Sequence, residues 1–371
     1  YEIGSGLVGS EMCIRDSVRI EFYATVRTPE PFLPAGTVIA REQNYIYTFH
    51  KDNAALQATA PVKETETQAI YSGKNFKAVF DKKSGMLVSY KYNGMEYILN
   101  GQGLHPNFWR APIDNDYGAG LPHKLGVWKE VSYGEVTAAV FNARNGEVTC
   151  SYKFPKADAS WDITYKIYAD GVIKVNNRFV AANEKTPMIP RIGLRMQMPE
   201  TFTTLTYYGR GPEENYRDRR TSQFFGEYSL PIKDMYEPYI RPQENNHRTD
   251  IYWCAFTNKS GAGLLLVADR TFELNASNHP LETLDSGDDL HNAAPRTAET
   301  DHRHLTDPKP EKVVDVFVDY RMMGIGGDNS WGALPHEPYL IRTGSGNAIE
   351  YGFTLVPFGR KVDFRNLIYQ Y

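Results

Sequence analysis

Three stretches of the chain combine residue types that could do chemistry. Residues 107–118, NFWRAPIDNDYG, set an aromatic pair and Arg110 beside Asp114, Asn115 and Asp116. Glycosidic hydrolysis uses two carboxyl groups about 5–5.5 Å apart for retention or about 6.5–9.5 Å for inversion, and an i, i+2 pair on a strand can reach that range. The same carboxylates could instead bond to backbone amides and to Arg110 and simply hold a loop. Residues 207–220, YYGRGPEENYRDRR, place Arg210 beside Glu213, Glu214, Asn215 and Tyr216 after a strand-like run. Two glycines there allow close backbone approach, but no helical pattern follows to cradle a phosphate. A buried Arg–Glu pair fixing a wide loop and a polar cluster orienting a neighbouring site both fit. Residues 324–331, GIGGDNSW, end three glycines and three small polar residues with an indole. Trp331 is then either a core side chain closing a loop or a platform held out for a ligand; the residues alone favour the core.

Two further segments carry weaker signals. Residues 234–250, DMYEPYIRPQENNHRTD, are rich in aromatics, prolines and amides, as in a rigidified loop that seals a core edge or rims a pocket. In DHRH, His302 and His304 would share one face of a strand, a spacing a metal could use, but without a third ligand they read as surface histidines.

These residues need a scaffold, and composition limits what it can be. A chain of 371 residues is long enough for a full core and for about two domains. A net charge of -4 and a pI near 6.2 provide no basic stripe, which excludes nucleic acid and anionic membrane surfaces as partners. Cys13, Cys150 and Cys254 are too far apart for a metal knuckle and odd in number, so they read as buried thiols. No apolar run reaches the ~18 residues of a membrane span, and no charged-then-apolar signal opens the chain. The compartment is not written in the sequence, the cytoplasm being favoured over the periplasm. The aromatic share of 13%, with 25 Tyr, suits stacking on sugar C–H faces, although Tyr is also a favoured strand residue.

Alternation with period two runs from end to end and predicts an all-β chain of antiparallel sandwiches. In VRIEFYATVR, Val18, Ile20, Phe22 and Val26 fall on one side and Arg19, Glu21, Thr25 and Arg27 on the other. PRIGLRMQMP, VVDVFVDY and AIEYGFTLVPFG repeat the pattern, which predicts strands with one wet face. Asn93-Gly94 and Asp170-Gly171 predict tight primed hairpin turns. Residues 51–66 lose the alternation and read as a linker, so 18–50 look like the end of a small immunoglobulin-like sandwich and 67–371 like one large one. The first 17 residues lack a strand period, and GSEMCIRDS within them resembles translated adapter sequence, so this segment is expected to be non-native. A start at Tyr1 rather than Met fits a fragment.

Together NFWRAPIDNDYG, GRGPEENYRDRR, DMYEPYIRPQEN, DHRHL and MGIGGDNSW, in this order and at these distances, resemble the C-terminal part of the large bacterial β-galactosidases of glycoside hydrolase family 2. The resemblance spans about residues 18–371. It implies the last strands of the family's second immunoglobulin-like domain followed by its C-terminal super-sandwich, which is related to aldose mutarotases. It also implies that both catalytic carboxylates of the retaining mechanism, and the Mg2+ and Na+ ligands, lie on a (β/α)8 barrel outside this chain. On that reading the chain has no catalytic residue and no metal ligand of its own, and it should not hydrolyse lactose alone. Its likeness assigns Trp331 to stacking on sugar at the active site, reversing the preference for a core indole. Glu244, Asn245 and Asn246 match a mobile loop at the site mouth, with Asn246 where Gly is common. Arg110, Asp114, Asp116, Arg210, Glu214, Asn215 and Tyr216 become supporting-loop residues. The partner implied is a galactoside bound with the missing barrel, in a full-length homo-oligomer. Two other readings stay open: an autonomous carbohydrate-binding module, and an aldose mutarotase or epimerase, which would need a His and Glu acid/base pair in a cleft.

Overall fold

A computed structural model of the chain describes residues 2–8, 17–48, 58–182, 186–285, 304–344, 348–368 and 370–371. The fold is all-β, and every strand pairing among the described residues is antiparallel. A long sheet runs in the order Val140–Arg144, Glu147–Phe154, Ala159–Ile167, Ile173–Ala181, Ala348–Phe358, Gly263–Ser277, Arg248–Asn258, Phe202–Gly211, Phe224–Pro231. The strand Gly263–Ser277 carries the curl. Its first part pairs Gly263 with Phe358 and Ala268 with Phe353, whereas its last part pairs Glu273 with Asp319 and Ser277 with Asp315. That second pairing opens a branch through Val313–Met322 and Arg191–Pro199 to His105–Asn107. A strand that changes neighbours along its length must bend, and the sheet bends with it. The main core gathers side chains from both branches and from a separate five-stranded sheet spanning Val62–Glu64 to Met95–Glu96.

The inward side of these strands follows the alternation, but the expected wet side does not. Arg191 and Arg195 lie on one strand and Asp315 and Asp319 on its partner, and all four are buried. Arg195 makes two bonds of 2.8 and 2.9 Å to Asp315, and Arg191 lies 2.7 Å from Asp319. The short helix Leu281–Leu284 and the loop carrying Glu244 cover this face, so charges that alternation assigns to water are instead paired in the interior.

A three-stranded sheet, Glu2–Val8, Ser17–Thr25 and Val38–Thr48, precedes this body. The stretch expected to lack a strand therefore supplies one, because Glu2–Val8 pairs its backbone with the free edge of Ser17–Thr25 regardless of side-chain pattern. At Glu21 and Phe22 the faces of that middle strand are also reversed from expectation, although Val26, just past its end, is buried as expected. Glu21 is buried and Phe22 exposed, since the polar side docks: Arg19 and Arg41 lie over the rings of Phe225 and Phe224, and Gln43 bonds both ways with the Phe225 backbone. Within the stretch read as a linker, Ala60 lies in the core and Val62–Glu64 begins the five-stranded sheet.

Asn93-Gly94 forms the two-residue turn expected of it, with φ of 49° and 79°. Asp170-Gly171 does not. Gly171 alone has positive φ there, and the turn is closed by Gly171 N–H to Tyr168 and Tyr168 N–H to Val172, a longer loop. Three short helices, Asp114–Gly118, Leu121–Lys124 and Gly126–Tyr133, interrupt the strands. No helix among the described residues is long and apolar enough to cross a membrane. Cys150 and Cys254 are buried and free, while Cys13 lies outside the described residues.

Candidate functional site: a braced tryptophan loop

Trp331 is 84% exposed, whereas Trp109, Trp128, Trp161 and Trp253 are all buried. The chain holds five tryptophans, so a single indole faces solvent. What lies beneath it is rigid. Val313–Met322 delivers the chain to Met323 and Gly324, whose carbonyls accept Nη1 and Nη2 of Arg110 at 2.6 and 3.1 Å. The Arg110 guanidinium is in turn held by Asp116, Nε to Oδ2 at 3.1 Å and Nη2 to Oδ1 at 2.9 Å, both side chains buried. Two N–H···O bonds between one guanidinium and one carboxylate fix their relative orientation as a single bond would not.

Further along the loop, Asp218 accepts the N–H groups of Ile325 and Gly326 at 3.1 and 2.7 Å. Asn329 turns back on the chain and accepts from Trp331 N–H at 2.8 Å and Ala333 N–H at 3.3 Å. Asp328 does not share that task, since its Oδ1 meets His336 Nε2 at 2.8 Å. Asn115 closes the loop from outside, donating to the Asn329 carbonyl at 2.9 Å and accepting from Gly332 N–H at 3.3 Å.

The glycines act by close approach more than by dihedral freedom. Positive φ occurs at Gly332, after the indole, and not at Gly324, Gly326 or Gly327. A Cβ on Gly324 would lie 2.5 Å from Asp218, and one on Gly118 would lie 2.8–2.9 Å from the backbone of Gly332 and Trp331. The loop thus needs glycine wherever Asp218 or helix Asp114–Gly118 presses against it.

The expected carboxylate pair is not formed. Asp114 and Asp116 sit on a helix, not a strand, and two residues apart on a helix point to different sides: Asp114 is exposed and Asp116 buried. The expected Arg–Glu pair also resolves differently. Arg210 meets Asp250 at 2.7 Å, while Glu214 receives Arg219, Tyr239 Oη and, at 2.7 Å, Asn246 N–H. Asn215 is buried and bonds Thr249 at 3.0 and 2.6 Å.

Within this chain Glu244, Asn245 and Asn246 are held by hydrogen bonds and are not part of an exposed loop. All three are buried: Asn275 Nδ2 donates to Glu244 Oε1 and to the Asn245 carbonyl, both at 2.8 Å, and Asn246 Nδ2 donates to Ala276. Asn246 adopts φ of 66°, a left-handed position that Asn fills in place of Gly with its amide locked. The exposed part of this segment lies earlier, at Ile240.

Behind it lies a polar network the sequence did not announce. His247 bridges Asn275 Oδ1 at 2.7 Å and Glu273 Oε2 at 3.0 Å under the stacked ring of Tyr216, and Met322 N–H donates to the same Glu273 oxygen at 2.6 Å. Arg191 joins through Asn275 and Asp319. A His next to two amides in ENNH was the available signal, but its partners lie one strand away. A His–Glu pair is what the epimerase reading asks for, but both of these side chains are buried and not in an open cleft. His304 sits in a turn rather than a strand, 3.2 Å from Asp307, and His302 lies outside the described residues. Among the described residues no three His, Cys, Asp or Glu side chains converge to hold a metal.

Known proteins can now be set beside this geometry. The family model described as "Beta galactosidase small chain" matches residues 72–355. The beta-galactosidase of Priestia megaterium is 33% identical over 313 residues, covering 83% of this chain and 28% of that protein. That of Streptococcus thermophilus is 28% identical over 346 residues, covering 91% and 31%. This chain thus spans less than a third of the curated relatives it matches. Among solved structures, a galactose mutarotase related enzyme from Lactobacillus acidophilus aligns with 79% of this chain and 98% of its own, at 10% identity and a TM-score of 0.47. With a family model that covers most of its length and relatives that agree with it, the chain belongs to the beta galactosidase small chain family.

Proposed function

We propose that this chain is the part of a retaining β-galactosidase that shapes the sugar site, with Trp331 as the stacking wall and the catalytic carboxylates elsewhere in a longer protein. The observation that carries this reading is an indole 84% exposed on a loop braced by Arg110, Asn115 and Asp218. Exposing a large apolar ring on a stiff loop costs stability, and a face that stacks on sugar C–H groups repays it. Terminal β-D-galactosides such as lactose are the substrate class this reading implies. On this reading the Mg2+ and Na+ ions implied by the resemblance belong with the remainder of the longer protein, as does self-assembly.

An autonomous carbohydrate-binding module is the second reading, favoured by the same exposed ring. One experiment tests both. Because Trp331 alone faces solvent, it emits at longer wavelength than the buried four, and the red edge of the emission, with Trp331→Ala as background, reports on its surroundings. Galactose and lactose are titrated against the chain, and hydrolysis of a nitrophenyl galactoside is assayed in parallel. No turnover and no saturable change in emission is the expected result. Turnover by the chain alone overturns the proposal, and millimolar or tighter binding that disappears in Trp331→Ala replaces it with the module.

A further inference from the structure

A cavity of about 560 Å³ lies where the three-stranded sheet meets the strand Phe224–Pro231, far in sequence from the tryptophan loop. Arg19, Arg41 and Arg210 line it together with Glu42, Thr221 and Ser222. Three guanidinium groups around one cavity repel each other unless something answers their charge.

The carboxylates present answer it incompletely. Asp250 is shared, taking Arg210 at 2.7 Å and Arg220 at 2.8 and 2.9 Å, so one carboxylate serves two guanidiniums. Arg41 stands 3.3–3.4 Å from Glu21, long for a charge-assisted bond, and Glu21 already receives Gln43 at 2.8 Å and Tyr23. Glu42 is exposed. Arg19 is the decisive residue. Its Nε is buried with no hydrogen-bond partner, and its guanidinium carbon lies over Phe225, 3.7 Å from the ring centroid. Arg210 lies over the same ring at 4.5 Å, and Arg41 over Phe224 at 4.4 Å.

A guanidinium stacked on a ring is fixed in plane while its edge N–H groups remain free to donate. Stacking therefore presents edges without satisfying them. We propose that this cavity binds a phosphate group, with Arg19 and Arg41 as its main donors and the Thr221 and Ser222 hydroxyls at its rim. A tetrahedral dianion accepts from several guanidinium edges at once and balances more than one uncompensated charge. The cavity is roomier than a bare ion requires, which makes a phosphorylated small molecule an equal source of that group. Binding would also tie the three-stranded sheet to the large body, since Arg19 and Arg41 come from one and Thr221 and Ser222 from the other.

The test is titration calorimetry of the whole chain with inorganic phosphate and with glucose 6-phosphate, at constant ionic strength held with sodium chloride, with glucose as control. Saturable binding of either phosphate and none of glucose is expected. Tighter binding of glucose 6-phosphate assigns the cavity to phosphorylated small molecules, and equal binding assigns it to the free ion. Arg41→Gln and Arg19→Gln, each shown by circular dichroism to keep the fold, should each weaken affinity about tenfold or more, the loss of one charge-assisted bond. Absence of saturable heat with both phosphates, or an affinity that neither variant changes, overturns the proposal.

Discussion

The Asn115 side chain grips the backbone on both sides of Trp331, donating to the Asn329 carbonyl at 2.9 Å and accepting from Gly332 N–H at 3.3 Å. One amide thus fixes the backbone two residues before and one residue after the exposed indole. Asn115→Ala should remove this clamp without touching the core. The expected cost is about 1 kcal/mol of stability or less, because the amide is partly exposed and water replaces it. Indole mobility should change far more. Time-resolved anisotropy of the exposed tryptophan is expected to fall in the variant, and an unchanged decay would show that Asn115 does not hold the loop.

Gly118 and Gly332 make a second, purely steric constraint. A Cβ at position 118 would come within 2.8–2.9 Å of the Gly332 and Trp331 backbone, and Gly332 itself has φ of 98°. Backbone cannot step aside as a flexible side chain can. Gly118→Ala should therefore push the loop from the helix, and Gly332→Ala adds backbone strain, each costing more than about 1 kcal/mol. Urea unfolding measures the cost. A stability gain in either variant, the usual result of Gly→Ala at an unstrained site, would contradict the packing described.

How much of this was readable beforehand depends on the range of the contacts. Alternation located the strands around Ile192, Val316 and Phe353 because burial of one face is a local pattern. It failed at Arg191, Arg195, Asp315 and Asp319, where the second face is also covered and charges pair across strands over a hundred residues apart. The helices around Asp114 did not show in the sequence because four to eight residues is too short for a 3.6 period to declare itself. The tryptophan loop was legible as glycines, amides and an indole, and the resemblance fixed its exposure. Its braces were not legible, because Asn115 and Asp218 meet it only once the sheet has curled.

The paired charges on the covered face should behave as a unit. Arg195 contacts Asp315 twice, at 2.8 and 2.9 Å, and Glu282 twice, at 2.6 Å, and Asp315 is fully buried. Asp315→Ala leaves Arg195 in the interior with its rim partner alone and is expected to cost about 3–5 kcal/mol. Arg195→Met combined with Asp315→Leu should recover most of that loss, since two apolar side chains need no counter-charge. A double-mutant cycle by urea unfolding checks this; strictly additive losses would mean the two residues are not energetically coupled.

His105 gives the chain a built-in sensitivity to acid. It is buried on the short strand His105–Asn107, where Nδ1 donates to the Gly103 carbonyl at 2.8 Å. Loss of solvation pulls its pKa down from 6.5 to about 4, opposed by the Gly103 carbonyl and aided by the charge of Arg195. The folded protein therefore keeps this imidazole neutral where the unfolded chain protonates it. Its contribution is complete above the unfolded value near 6.5 and is lost as pH falls from there toward 4. A gap that wide corresponds to about 3 kcal/mol. Urea unfolding at about pH 7.5 and about pH 4.5 should show wild type losing some 2–3 kcal/mol more than His105→Gln, whose amide keeps a donor and cannot titrate. Equal losses in the two proteins would mean that His105 takes up its proton in the folded state, and that burial at this strand does not keep it neutral.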